Sequence, residues 1–225
     1  MTPLSTRAPM PFFPSRSFDL IGIGDSVLDT LLMIEEASVA CELKREACQL
    51  RLPYGEKVPL KNALDVYGAG NSSNATIGAS RLGMRCAIVS VVGDDPNGRQ
   101  ILHHWKQEGV STKFVNIDPK HETNHHAVLS FKGERTILIY HQPRDYHFPR
   151  LPRTDWLYYS SLGPGHEKLE KQVIGYLDTH PNTRIAFNPG SFQLKRGLKA
   201  IPPMIRRSTV FAVNKEEADR LLGQK

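Results

Sequence analysis

From Phe18 onward, apolar residues fall into short blocks separated by longer stretches of helical length. Asp19 to Gly24 is a brief, largely apolar run ending in glycine, the pattern of a strand buried on both faces. Asn71 to Leu82 has the length of a helix, with Ala75, Ile77, Ala79 and Leu82 able to face a sheet. Arg85 to Val92 reads as another buried strand, followed by a turn and a helix near Gly98 to Glu108. Ala127–Phe131 and Thr136–Tyr140 flank Lys132-Gly133-Glu134-Arg135, which predicts a hairpin. Further strands are predicted at Asp155–Ser160, Arg184–Phe187 and Thr209–Val213, with helices near 166–179 and 215–222. Residues 35 to 67 mix polar and apolar positions without a clear period and read as an insertion or edge element.

Strands separated by helical segments predict an α/β protein with a mostly parallel sheet covered on both faces. Ligands in such sheets sit at the carboxyl ends of strands, so polar and glycine-rich residues just after strands are the places to look. At 225 residues, 40% hydrophobic and 23% charged, the chain can bury a sizeable core. No apolar run approaches the ~20 residues needed to span a bilayer. Met1 to Ser17 carries four prolines and two arginines without a continuous apolar block, so residues 1–17 read as a disordered tail rather than a secretory signal. The three cysteines, Cys41, Cys48 and Cys86, are odd in number and lack metal-ligand spacing; they read as reduced thiols, in keeping with a cytoplasmic location. The net charge of +6 comes from scattered basic residues, which argues against a nucleic-acid partner and is compatible with phosphorylated small molecules.

Three segments carry candidate chemistry. Gly24-Asp25-Ser26-Val27-Leu28-Asp29 follows the first strand, where a carboxylate can accept hydrogen bonds from neighbouring hydroxyls; a turn cap at Asp25 and a solvated Asp29 would equally account for it. Gly68-Ala69-Gly70-Asn71-Ser72-Ser73-Asn74-Ala75 opens a predicted helix. Its glycines allow close backbone approach, its N-terminus offers free N–H groups, and Asn71 and Asn74 lie one turn apart. An ordinary N-cap would also favour Asn and Ser there. Gly93-Asp94-Asp95-Pro96-Asn97-Gly98 reads as a turn that starts a helix.

Taken together, Asn74-Ala75, Arg81-Leu82-Gly83, a strand and Gly93-Asp94-Asp95 with Gly98 resemble the first signature of the ribokinase/PfkB family of carbohydrate kinases. Asn188-Pro189-Gly190, and Asn214-Lys215-Glu216-Glu217 in the manner of the family's Asn-x-x-Glu motif, extend the resemblance from about residue 18 to the end. It implies a ribokinase-like three-layer sandwich over 18–225, with a small β lid drawn from about 35–67 and 125–141. By the same resemblance Asp29, Gly70, Asn71 and Asn74 belong to the substrate site, while Asn214 and Glu217 organise Mg2+ through water near the phosphates of ATP. Two positions depart from the pattern: Ala69 stands where Gly-Gly is common, and Val27 replaces a polar substrate contact, which argues against ribose.

The family's anion hole and catalytic base come from an Asp-Thr-x-Gly-Ala-Gly-Asp segment after the Asn-x-x-Glu motif, and only eight residues follow Glu217 here. Asp65-Val66-Tyr67-Gly68-Ala69-Gly70-Asn71 imitates that segment, but it stands too early and ends in an amide that cannot take a proton as a carboxylate does. The resemblance therefore implies a base beyond Lys225, a chain inactive alone, and an exposed sheet edge that makes the isolated chain poorly soluble or dependent on a partner. The expected activity is ATP-dependent phosphorylation of a small polyol, a hexose or sugar acid ahead of a nucleoside such as adenosine. The alternatives are a non-catalytic sugar- or nucleoside-binding protein and one half of a split kinase completed by a C-terminal chain. A homodimer is compatible with either; no membrane partner is expected.

Overall fold

The computed structural model describes residues 18–41, 48–197 and 201–223. The expected tail at 1–17 lies outside the described residues. In chain order the elements are β1 (Phe18–Ile23), β2 (Val27–Ile34), β3 (Ser38–Cys41), β4 (Cys48–Arg51), β5 (Leu60–Ala69), α1 (Asn71–Arg81), β6 (Cys86–Gly93), α2 (Pro96–Gln107) and β7 (Ser111–Asp118). There follow β8 (His125–Phe131), β9 (Glu134–Tyr140), β10 (Thr154–Tyr159), α3 (Glu167–Thr179), β11 (Arg184–Phe187), α4 (Ser191–Lys195), α5 (Pro202–Arg207), β12 (Val210–Phe211) and α6 (Lys215–Leu222).

Six strands form a parallel sheet in the order β12-β11-β10-β1-β6-β7. Every residue of β6 is buried, because alternate side chains enter two different cores. Ile88 and Val92 pack with Ile77, Ile101 and Trp105 beneath α1 and α2. Ala87, Val89 and Val91 point the other way, into the core built on Leu157, Tyr159, Leu169, Val173 and Phe187. Helices thus cover both faces and give three layers. Each fully buried aliphatic side chain contributes about 1.5–3 kcal/mol relative to exposure.

A second, four-stranded sheet has the order β5-β2-β8-β9, with β2 parallel to β8 and the other pairings antiparallel. The predicted hairpin is its β8–β9 edge. The sequence pattern alone misses β2, β5 and β7. Residues 35–67 resolve into β3, β4 and β5, and β12 shrinks to two residues.

Cysteine usage differs from the expectation. Cys41 and Cys48 form a disulfide across the β3–β4 hairpin, where the antiparallel register sets them opposite each other. Spacing without register hides such a pair. Cys86 remains a free, buried thiol, pushed up to about 11 by burial.

Two of the glycine- and aspartate-rich turns have local structural roles. Asp95 caps α2 by accepting from the Gly98 N–H at 2.7 Å, with Pro96 opening the helix, as expected of a helix-starting turn. At α1 the cap residue is Gly70, and no side chain caps the helix, so Asn71 and Ser72 are not there as N-caps. Gly70 sits at φ 110°, and a Cβ on it would lie 2.8 Å from the Asp25 carbonyl oxygen. Only glycine lets the start of α1 approach the β1–β2 turn this closely.

Candidate functional site

A cavity of about 750 Å³ opens between the inner face of the second sheet and the carboxyl ends of β1 and β10. Cross-strand register explains the sheet's contribution. Asp29 pairs with His126, and His126 with Ile139, so all three project from one face. One step along, Leu31, Val128 and Ile137 repeat the arrangement in apolar form. The opposite face carries Thr30, which donates to Asp65 at 2.7 Å and meets His125 Nε2 at 2.8 Å. Asp65, the first residue of the segment that imitates a catalytic motif, therefore does not line the cavity.

From the large sheet come the β1–β2 turn, the start of α1 and the loop after β10. Asp29, Gly70, Asn71 and Asn74, each singled out from the sequence, all line this one cavity. The Asn71 amide also donates to Asn188 Oδ1 at 3.0 Å, and Asn188 in turn donates to the Ala212 carbonyl at 2.9 Å. That chain of amides ties α1 to the ends of β11 and β12.

The two carboxylates of the β1–β2 region differ sharply. Asp25 is only 4% exposed and accepts from the Tyr146 hydroxyl at 2.9 Å and the Gly163 N–H at 2.7 Å. Burial pushes its pKa up to about 6, against the pull of those donors and of Arg144. Burial and the neighbouring Asp25 charge likewise raise the Tyr146 phenol. Asp29 is more open, its side chain 25% exposed: its buried Oδ1 lies 3.1 Å from His126 Nδ1, off the hydrogen-bond axis, and the carboxylate takes no hydrogen bond from another side chain. His126 Nε2 meets His141 Nε2 at 2.8 Å, and His141 Nδ1 points to Asp25 Oδ2 at 3.7 Å. Burial holds the His141 imidazole down to about 4, assisted by His126 and Arg144.

His126, His141, Tyr146 and Phe192 escape sequence reasoning. Alternation along β8 puts His126 on the same face as Val128 and Ser130, but nothing local says that this face meets a cavity. Asn214 and Glu217 lie away from it. They close a capping box at the start of α6: Asn214 Oδ1 accepts from the Glu217 N–H at 2.8 Å and Glu217 Oε2 from the Asn214 N–H at 2.9 Å. Among the described residues no group of three or more His, Cys, Asp or Glu is placed to hold a metal, and no helix is long and apolar enough to cross a membrane.

Known proteins resemble this chain in sequence and in fold. An uncharacterized sugar kinase of Archaeoglobus fulgidus is 26% identical over 158 residues, covering 66% of this chain and 61% of its own. A fructokinase of Klebsiella pneumoniae is 31% identical over 134 residues, covering 51% of this chain and 43% of its own. The chain therefore spans between two fifths and about three fifths of the length of these relatives. In fold it matches the ribokinase of Arabidopsis thaliana complexed with ribose and ATP (TM-score 0.68, 17% identity, 92% of this chain and 64% of that one). It also matches the nucleoside kinase of Methanocaldococcus jannaschii (TM-score 0.67, 16% identity, 91% and 63%). The profile of the pfkB family carbohydrate kinases matches residues 30–225, so this α/β chain with its ribokinase-like fold belongs to the pfkB carbohydrate kinase family.

Proposed function

We propose that this chain forms the acceptor-binding portion of an ATP-dependent carbohydrate kinase. One observation carries the reading: Asp29, with hydrogen-bonding capacity to spare, shares a cavity with Gly70, Asn71 and Asn74. A carboxylate beside two amides can accept from and donate to vicinal hydroxyls, while Val27 and Leu31 suit the C–H faces of a sugar ring. The second sheet is the lid of this reading: β5, which begins in the 35–67 segment, and the 125–141 hairpin are joined through β2 to a single domain over 18–225. A hexose or sugar acid is the favoured acceptor, in keeping with the name of the Klebsiella relative. Ile137, Ile139 and Phe192 on the cavity wall favour a nucleoside as the second reading.

ATP supplies the phosphoryl group, and magnesium neutralises its charge when bound. In keeping with the family resemblance, this chain would help to hold the ion only through water. The free Oε1 of Glu217 and its partner Asn214 are the residues here suited to order that water. The base does not come from the two cavity carboxylates nearest the acceptor: Asp25 is committed to Tyr146 and Gly163, and Asp29 holds the acceptor. We assign it to sequence outside this chain, whether continuous with it or a complementing chain, and place the protein in the cytoplasm.

The test is a panel of hexoses, sugar acids, pentoses and nucleosides, assayed for binding and for ATP-dependent phosphorylation with Asp29→Ala as control. Binding lost in the control, without turnover, is the expected result. Turnover by the chain alone would place a base within it. Binding unchanged by the substitution would remove Asp29 from the acceptor site.

A further inference from the structure

The two imidazoles between Asp25 and Asp29 have a defined proton arrangement. Their Nε2 atoms are 2.8 Å apart, their planes differ by 11° and their centroids are separated by 5.0 Å. Rings stacked face to face keep their atoms about 3.5 Å apart or more. A 2.8 Å nitrogen–nitrogen contact between near-parallel rings is therefore an edge-to-edge N–H···N bond, and one proton occupies it. Next, a bare lone pair on His126 Nδ1 would repel the Asp29 oxygen 3.1 Å away, so that nitrogen carries its proton. In a neutral His126 the Nε2 is then the acceptor, and His141 is the donor through its own Nε2. The remaining nitrogen, His141 Nδ1, is buried with no hydrogen-bond partner and faces Asp25 Oδ2 at 3.7 Å.

We propose that His126 and His141 are positioning residues for Asp29: a proton-sharing imidazole pair, polarised from His141 through His126, whose Nδ1 dipole faces this carboxylate at 3.1 Å without a hydrogen bond and orients it for the acceptor's hydroxyls. The proposal rests on the reading of Asp29 as an acceptor-binding residue. His126 turns one nitrogen to Asp29 and the other to His141, so His141 reaches the carboxylate only through His126. The low proton affinity of His141 and the high one of Asp25 agree with a neutral donor ring beside a carboxyl that retains its proton longer than usual. The charged and titratable groups around the pair are Asp29 on β2, Asp25 on the β1–β2 turn, and Arg144 and Tyr146 beyond β9; α4 adds only the Phe192 ring, 5.8 Å from His141. A second proton in the pair would set two N–H groups against each other and break the bond that restrains Asp29.

The decisive measurement needs no ligand. Long-range proton–nitrogen NMR correlations on the ¹³C,¹⁵N-labelled chain, from about pH 6.5 to 8, report the tautomer of each ring, and carbon detection reports the Asp29 carboxyl. Expected are two fixed and opposite tautomers: His126 protonated on Nδ1 and bare on Nε2, His141 protonated on Nε2 and bare on Nδ1. His141→Phe should release His126 into a tautomer mixture and shift the Asp29 carboxyl carbon signal; His141→Asn, whose amide can still donate, should restore much of both. A role in packing alone would lower thermal stability without moving either signal. Two rings titrating independently near the ordinary value of about 6.5, or an Asp29 signal indifferent to His141→Phe, would overturn the proposal. If His141→Phe does not fold, the tautomers of the unaltered chain and of His141→Asn decide alone. Once a panel sugar binds, His141→Phe should weaken it about tenfold and His141→Asn much less. A panel in which no sugar binds would count against the acceptor site while leaving the NMR result on the pair intact.

Discussion

Asn71 and Asn188, 117 residues apart in sequence, are joined by a 3.0 Å hydrogen bond between their side-chain amides. Asn188 also donates to the Ala212 carbonyl, while its own carbonyl accepts from the Ser160 hydroxyl at 2.9 Å. One side chain thus aligns the first residue of α1 with the ends of two neighbouring strands. Replacing it with alanine removes two amide bonds at a partly exposed site, about 1–2 kcal/mol in all. Asn188→Ala should unfold at lower urea with an unchanged slope, and bind the acceptor several-fold more weakly because Asn71 is released. Unchanged affinity would show that Asn71 needs no anchoring.

Asp25 should make stability depend on pH in an unusual direction for a carboxylate. Its native pKa of about 6 lies above the ordinary 3.8, so the proton it holds stabilises the fold fully below 3.8 and that contribution is lost as pH rises through 6. The penalty at neutral pH is on the order of 3 kcal/mol. Asp25→Asn keeps an oxygen for the Tyr146 and Gly163 donors and carries no charge. Its thermal stability relative to the parent chain should climb between pH 4 and 6 and level off above. A difference that stays flat across that range would mean Asp25 ionises in the fold without cost.

His141 works in the opposite sense over nearly the same window. With a native value of about 4 against 6.5, its neutral form is favoured in the fold, so stability from this group is lost as pH falls from 6.5 toward 4. In the parent chain the two slopes oppose each other; in Asp25→Asn only the histidine's remains. Melting curves of that variant should therefore show stability rising with pH in this interval, whereas a falling trend would contradict the assignment of His141.

Trp105 is fully buried, and its indole N–H donates to Ser73 Oγ at 2.6 Å. The Ser73 hydroxyl in turn donates to the Gly68 carbonyl. Ser73→Ala strands a buried donor and a buried acceptor, at a cost of about 2–4 kcal/mol. Chemical unfolding followed by tryptophan emission should detect the loss. Ser73→Thr, which retains the hydroxyl, should lose less if the added methyl is accommodated.

The Cys41–Cys48 disulfide is open to direct count. Of three cysteines, the chain unfolded without reductant should expose one titratable thiol, and three after reduction. Three thiols in both cases would show the hairpin cysteines to be reduced. Because β3 and β4 form a sheet of their own, Cys41→Ser should leave the main unfolding transition nearly where it was.

Sequence by itself determined the layered α/β plan, since strands such as β6 are apolar at nearly every position and α1 and α2 show where helices cover them. Through the resemblance carried by its motifs it also pointed to Asp29, Gly70, Asn71 and Asn74, which residue type and position alone left open against a solvated carboxylate and an ordinary N-cap. Strands β2 and β5 stayed hidden: β2 is buried or half-buried at nearly every position and β5 is exposed along its first seven residues, so neither shows the alternation that announces a strand buried on one face. The cysteine pair stayed hidden because register, unlike spacing, is a property of two strands at once. Only the tertiary structure turned His126 toward His141 and Asp29, and separated a buried, high-pKa Asp25 from an open Asp29 four residues away. Those outcomes depend on burial and on partners more than a hundred residues distant, such as Tyr146 and Gly163, and such contacts exist only once the sheets are stacked.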